Sequence, residues 1–349
     1  MAKVTIDNTF TPLVHNPENV LEVNQLKKYF PIKEGLLQRT VGYVRAVDGI
    51  SFNIKRGTTM GLVGESGCGK TTVGRTILRL TNKSGGEVLF NGREVHELSR
   101  NELRALRPKM QIIFQDPYSS LSPRLPIGEI VGEAVREHSI VPKDEFNDYI
   151  DKIMSECGLQ PYHRDRYPHE FDGGRRQRIV IARALAINPQ FVVCDEPVSA
   201  LDVSVQAQII NLLRDLQQEH NLTYLFISHD LSVVKHISDN VVVMYLGQVI
   251  EKAPKQALFQ NPMHPYTIAL LSAIPSVNVR EKRQRIILKG ELSSPINPGD
   301  GCRFAKRCPF AQPECFTRTP EYREMEPEHF VACHRAEEVR EGKLKYQTI

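Results

Sequence analysis

Gly64-Glu65-Ser66-Gly67-Cys68-Gly69-Lys70-Thr71 is the stretch on which the reading of this chain turns. It has the form G-x-x-x-x-G-K-S/T, a phosphate-binding loop. The apolar run at residues 60–63 reads as a strand, and residues 72–80 read as a helix. Strand, loop and helix are the context the motif needs. The glycines let backbone N–H groups turn onto an anion with no Cβ in the way, and the helix N-terminus adds partial positive charge. Lys70 is expected to reach the β- and γ-phosphates, and the Thr71 hydroxyl to hold Mg2+.

Around the loop, short apolar runs alternate with helical spacing. Residues 1–19 are polar, with Pro12 and Pro17, and read as a lead-in. Residues 20–26, 41–47 and 51–54 read as short strands, with turns at Asp48-Gly49 and Lys55-Arg56-Gly57. Residues 87–90 form a strand ended by Asn91-Gly92, and 110–114 a buried strand. From Ile127 to about Gly158 the spacing turns helical, as in a separate insert. Next come helix 179–187, strand 191–194, helix 203–219, strand 223–227, a helix to about Ser238 and strand 241–246. Residues 254–275 carry a helix or two, and a basic segment, 280–285, leads into a cysteine-rich tail. Wholly apolar short strands between helices predict an α/β fold with a parallel sheet covered on both faces.

The 349 residues suffice for two domains, and 41% hydrophobic with 25% charged residues is ordinary for a globular protein. A net charge of +4 argues for neither nucleic acid nor a basic membrane patch. No apolar run approaches the roughly 18–20 residues of a spanning helix, and residues 1–10 lack a signal pattern. The expectation is a cytosolic chain with reduced thiols, anchored by something else if it works at a membrane.

Val192-Val193-Cys194-Asp195-Glu196-Pro197 is an apolar strand ending in two acids. At a strand tip beside a phosphate loop, Asp195 can hold Mg2+ and Glu196 can polarise an attacking water. The plain alternative is a solvated charge pair. Ser199-Ala200-Leu201-Asp202 follows, then Ile227-Ser228-His229-Asp230. His229 is placed to reach a γ-phosphate, although a lone histidine is commonly structural.

With Gln115 and Phe171-Asp172-Gly173-Gly174-Arg175, this order of motifs resembles the nucleotide-binding subunit of ATP-binding cassette (ABC) transporters over residues 20–275. The resemblance implies a RecA-like P-loop ATPase core with an antiparallel β-subdomain and a helical subdomain at about 118–175. It implies ATP hydrolysis with Mg2+. Phe30, or Tyr29 beside it, would stack on adenine. Gly64, Glu65, Ser66, Gly67, Cys68, Gly69, Lys70, Thr71 and Thr72 would cradle the phosphates. Gln115 would touch Mg2+ and water, Asp195 would hold Mg2+, and Glu196 and His229 would be catalytic. Asp202 would lie in the loop that meets a second subunit. Two subunits would pair head to tail, each ATP lying between one phosphate loop and the partner's signature. Membrane subunits would dock near residues 116–129.

The signature departs from the usual Leu-Ser-Gly-Gly-Gln. Ionised Asp172 can only accept hydrogen bonds where serine donates. A carboxylate about 5 Å from a phosphate charge costs on the order of 3 kcal/mol at an effective dielectric of 20. Arg175 lies three residues on and can face it, and Asp172 can instead act as an N-cap. The expectation is an intact site on this chain's own loop and a weaker site where this chain completes its partner's.

Cys302, Cys308, Cys315 and Cys333 crowd residues 276–349, which read as a cysteine-rich C-terminal extension. Their spacing has no C-x2-C knuckle and neither common ferredoxin pattern, so an iron–sulfur cluster, zinc and free thiols are all open from chemistry. Asn261-Pro262-Met263-His264-Pro265-Tyr266-Thr267 before this tail resembles the oligopeptide/dipeptide branch of ABC importers, specifically its F-type ATPase. That branch implies a 4Fe-4S cluster on the four cysteines, with zinc as the alternative. It implies a second ATPase subunit in a heterodimer, two membrane permeases, an extracellular solute-binding protein, a peripheral place on the cytoplasmic face of the membrane, and no nucleic acid. Nickel and oligosaccharide importers are built similarly. A soluble ABC ATPase of another class would carry two cassettes or a long coiled coil between Thr71 and Asp172, and neither is present.

Overall fold

The computed structural model describes residues 11–35, 38–274, 285–288, 290, 294–344 and 346. The first ten residues of the lead-in and most of the basic segment lie outside these. In chain order the first half contains β1 (Asn19–Glu34), β2 (Arg39–Lys55), β3 (Thr59–Val63), α1 (Lys70–Ile77), β4 (Gly85–Phe90), β5 (Arg93–Glu94), α2 (Arg100–Leu106) and β6 (Met110–Ile113). Next come α3 (Pro117–Ser120), α4 (Ile127–Glu137), α5 (Phe146–Glu156), α6 (Gly173–Leu185), β7 (Phe191–Asp195), α7 (Val203–His220), β8 (Thr223–Ser228), α8 (Leu231–Ile237) and β9 (Asn240–Tyr245). The end of the chain adds β10 (Gln248–Pro254), α9 (Lys255–Gln260), α10 (Pro265–Ser272), α11 (Pro313–Thr317), β11 (Arg323–Glu326), β12 (His329–Val331) and α12 (Ala336–Arg340).

One sheet runs β2-β1-β4-β5, all antiparallel. The larger sheet runs β11-β12-β10-β9-β3-β8-β7-β6. Its strands β9, β3, β8, β7 and β6 are parallel. Every residue of β3, β7 and β8 is buried, which is why these runs lack polar alternation. Helices α4 and α5 pack on α6 and form the helical part expected between residues 118 and 175. Their apolar residues, among them Ile130, Val131, Ile150 and Met154, join the main core.

The turn expected at Asp48-Gly49 lies inside a strand. Leu26 pairs with Ile50 and Lys27 with Asp48, so Gly49 is an extra residue bulged out of β2 at φ +74°. Two long bulged strands thus replace the short ones predicted. The bulge frees the Asp48 N–H for the Gly247 carbonyl at 2.8 Å. Strand β10 and the β11–β12 hairpin carry too few residues with clean alternation to be seen in the sequence. Through β12, the tail joins the central sheet at its β10 edge.

The join is held by a buried carboxylate. Glu251 on β10 and His329 on β12 are both fully buried, with Oε1 and Nε2 2.8 Å apart. The same carboxylate accepts the N–H groups of Met263 at 2.6 Å and His264 at 3.0 Å. His264 Nδ1 in turn accepts the Tyr266 N–H and caps α10. Burial lowers the His264 imidazole to about 3, so it is the neutral acceptor this cap requires. Glu251→Ala leaves these donors without an acceptor in an apolar interior and is expected to cost about 3–5 kcal/mol. An unshifted denaturant midpoint for the full-length variant would show that the carboxylate is not what fastens the tail.

Candidate nucleotide site

At the end of β3 the chain turns through residues 64–69 into α1, as the motif requires. Gly64, Gly67 and Gly69 have φ of +154°, +78° and +107°. The loop is also wedged against its surroundings. A Cβ on Gly64 would lie 2.3 Å from the Met244 carbonyl oxygen, and one on Gly69 2.0 Å from that of Ala46. Beside the loop is a cleft of about 240 Å3 lined by residues 66–72, Gln115 and Glu196. Its other wall is Val44–Ala46, Leu246, Gly247 and Pro295.

Lys70 is buried, and its ammonium donates to the carbonyls of Gly64 at 2.8 Å and Glu65 at 3.0 Å. Thr71 Oγ1 donates to Asp195 Oδ1 at 2.8 Å. Burial raises the Asp195 carboxyl above the usual range, opposed by the Thr71 hydrogen bond and the positive charge of Arg75. The hydroxyl, carboxylate and amide oxygens of Thr71, Asp195 and Gln115 are the hard donors that Mg2+ selects, so these residues fit that ion.

Glu196 adopts φ +50°, an uncommon conformation that costs of order 1–3 kcal/mol for a non-glycine residue. Its N–H still donates to the Ile227 carbonyl at 3.0 Å. Its side chain meets two partners at once: Gln115 Nε2 donates to Glu196 Oε2 at 3.1 Å, and His229 Nδ1 lies 3.1 Å from the same oxygen. Ends of three structural segments thereby converge on one carboxylate beside the phosphate loop.

The remaining expected residues sit apart from the cleft wall. Tyr29 is buried and its hydroxyl donates to Asp48, so it is committed inside the protein. Phe30 is 40% exposed, and its cross-strand partner Val44 lines the cleft. Asp172 is the N-cap of α6: its Oδ1 accepts the Arg175 N–H at 2.8 Å, and Arg175 Nε lies 3.7 Å from Oδ2. A Cβ on Gly174 would come within 2.7 Å of Val205, and one on Gly173 within 3.3 Å of Leu201, so the signature rests against the start of α7. Asp202 sits at the N-cap position of that helix, where its side chain makes no capping bond. Sequence reasoning missed Pro295, Arg303 and Arg307, which reach this region from the tail, because no local motif marks them.

The four tail cysteines are free and line a small pocket with Pro265, Phe304 and Phe310. Burial raises the Cys302 thiol, takes Cys308 up to about 11 and Cys333 up to about 12. Desolvation therefore favours the neutral form of these three thiols. Among the described residues, the group of three or more His, Cys, Asp or Glu ligand atoms within 4.8 Å of one another is Glu156, Glu219 and His220, not these cysteines.

Comparison with known proteins accords with the cassette geometry. Residues 47–199 match the ABC transporter family, and residues 250–315 match the oligopeptide/dipeptide transporter C-terminal region. The chain is 55% identical over 322 residues to the oligopeptide transport ATP-binding protein AppF of Bacillus subtilis, covering 91% of this chain and 98% of that one. It is 50% identical over 316 residues to a putative peptide import ATP-binding protein of Brucella ovis, covering 90% and 98%. Among solved structures, CbiO1 of Clostridium perfringens superposes with a TM-score of 0.60 at 28% identity, over 69% of this chain and 91% of that one. The ATP-binding cassette MJ0796, solved as a dimer with ADP and Pi, has a TM-score of 0.60 at 26% identity, covering 67% and 98%.

These findings correct the expectation for Cys302, Cys308, Cys315 and Cys333. The relatives are named as plain ATP-binding proteins, and neither their names nor the matching family models support a 4Fe-4S cluster or zinc. No helix among the described residues is long and apolar enough to cross a membrane. Similarity sustained over nine-tenths of its length, on a cassette fold with a phosphate loop, means that this chain belongs to the ATP-binding subunits of the oligopeptide/dipeptide ABC transporter family and is an ABC-type ATPase.

Proposed function

We propose that this chain hydrolyses ATP to drive peptide import, as one member of a heterodimeric ATPase pair on two permease subunits supplied by an extracellular binding protein. The observation that carries the peptide reading is the 55% identity to an oligopeptide transport ATP-binding protein, extending through the C-terminal region. On this reading residues 20–275 are the cassette and 276–349 its extension. The protein lies peripherally on the cytoplasmic face of the membrane, and residues 116–129 meet the permeases. No role in nucleic-acid binding is part of it.

The residues have separable tasks. Lys70 and the N–H groups of residues 66–72 receive the phosphates, and Phe30 offers a ring to the adenine. Thr71, Asp195 and Gln115 would hold Mg2+, which would supply positive charge against the phosphates. Glu196 polarises the water that attacks the γ-phosphate in line, with Gln115 orienting it and His229 stabilising charge on the phosphoryl oxygens. Each site is completed by the partner's signature and by Asp202 at the dimer contact. This chain lends Asp172, Gly173, Gly174 and Arg175 to the site on its partner.

Glu196→Gln in the assembled transporter should retain ATP and lose hydrolysis by about 10²–10⁴-fold. Peptide uptake into vesicles should fall with it, and a wild-type complex whose turnover ignores peptide-loaded binding protein would sink the peptide reading.

Asp195 supplies a pH signature. Its carboxyl is raised on folding, so between the unfolded and folded pKa values the native state binds the extra proton and stability falls as pH rises. In nucleotide-free protein, Asp195→Asn should melt higher than wild type at neutral pH and alike below roughly pH 4. The same variant should lose the stabilisation that Mg-ATP confers on wild type. Equal melting curves at both pH values would count against a desolvated carboxylate.

The signature suggests unequal sites. Asp172 is engaged as a cap and has no hydroxyl donor to offer a γ-phosphate across the dimer. Asp172→Ser with Arg175→Gln should raise ATP affinity at the partner's site by about tenfold, a fraction of the unscreened electrostatic penalty. Single-site measurement, with the other site disabled, reads this directly.

A further inference from the structure

Glu65 is the first variable position of the phosphate loop, and all three of its polar groups are held. Its N–H donates to the Tyr266 hydroxyl at 2.9 Å. Its carbonyl accepts from the Lys70 ammonium at 3.0 Å. Its carboxylate takes a two-pronged contact from Arg307, Nη1 to Oε2 at 2.6 Å and Nη2 to Oε1 at 3.1 Å. Arg307 is in the tail, 242 positions along the chain, and its side chain is only 9% exposed. With Glu65 24% exposed, the pairing is a largely buried fork, unlike the exposed surface pairs that contribute little.

Two other contacts bring the tail to the same cleft. Arg303 donates to Asp48 on β2 and to the Leu246 carbonyl. Residues 295–297 run along β2, where Arg45 N–H donates to the Pro295 carbonyl at 3.0 Å, and Pro295 lines the cleft itself.

We propose that Arg307 is a positioning residue for ATP binding, acting through Glu65 to hold the phosphate loop and to neutralise a carboxylate that would otherwise sit unpaired at the start of that loop, one residue before its cleft-lining stretch. The inference rests on the nucleotide-site reading. It makes the cysteine-rich extension a working wall of the ATPase. The carboxylate is the hazard: leaving one member of a buried pair alone is costlier than removing both. Repulsion between that lone carboxylate and the phosphates is screened by salt wherever solvent reaches it.

The test uses the full chain and direct nucleotide binding, with melting temperature read alongside. Arg307→Gln should weaken ATP about tenfold, the loss expected for a charged hydrogen-bonded pair. That loss should shrink as KCl is raised. Adding Glu65→Gln to Arg307→Gln should restore affinity to within about threefold of wild type, as expected when both members of a pair are removed. Arg307→Lys keeps the charge without the fork and should fall between; it carries the test if Arg307→Gln does not fold. Lys70→Ala is the control for the site. Unchanged affinity in Arg307→Gln, with binding lost in Lys70→Ala, overturns the role of Arg307 and leaves the nucleotide site standing. A deficit that persists undiminished in the double variant, or that ignores salt, shows that Arg307 acts by packing and also overturns it. Binding unaffected by Lys70→Ala would instead overturn the nucleotide-site reading.

Discussion

The structure depends on how closely other backbone approaches the phosphate loop. Gly69 lies so near the Ala46 carbonyl, and Gly64 so near that of Met244, that any side chain would displace β2 or β9. The Gly247 N–H reaches back to the Cys68 carbonyl at 2.8 Å, and Gly247 also accepts from the bulge at Asp48. A loop that must present bare N–H groups to an anion is thus clasped by strands of both sheets. Its shape is set before a phosphate arrives, which lowers the ordering cost of binding. The β1–β2 arm is consequently a structural part of the cleft beside this loop.

This clasp explains which parts could be read from the sequence. The motif at residues 64–71 needs its own strand and helix, so local residues carry the information, and the structure reproduces them. The same holds for Phe191–Asp195 and Thr223–Ser228, whose unbroken apolar runs are the consequence of burial on both faces. Legibility fails where a contact is long-range. Gly49 reads as a turn because glycine after aspartate usually is one, yet pairing with β1 converts it into a bulge. Arg307 and Arg303 look like ordinary basic residues until the fold places Glu65 and Asp48 against them. The cysteines misled in the opposite direction: four thiols in one segment suggest ligation, while the relatives that share this tail are named as plain ATP-binding proteins.

The motif around His264 likewise acquires a physical meaning. Glu251, a fully buried carboxylate, gathers His329, the N–H groups of Met263 and His264, and through His264 the start of α10. That helix presents Tyr266, whose hydroxyl meets the Glu65 N–H and whose ring packs edge-on against Tyr245 and Phe304. A continuous run of hydrogen bonds therefore connects the tail hairpin to the phosphate loop. Such a network holds one arrangement of tail and core, and His329 Nδ1 is a buried member of it that finds no partner.

The contrast between Glu65 and Asp172 completes the electrostatic argument. Both are carboxylates in loops that lead into glycine-opened helices, and both have an arginine at hand. Glu65 is gripped by a largely buried fork from a distant segment, so its charge is cancelled by a fixed guanidinium. Asp172 is 64% exposed, accepts its helix's own N–H, and lies 3.7 Å from Arg175 in water. Its charge is only loosely compensated, and the same solvent that weakens the pair also weakens any field it exerts while the site is open. Only when a second subunit closes and expels water would that field grow. On the proposed head-to-tail pairing, an acidic signature would be tolerated in the open chain and would oppose ATP chiefly in the closed dimer, which would place its effect on the step that couples nucleotide binding to closure.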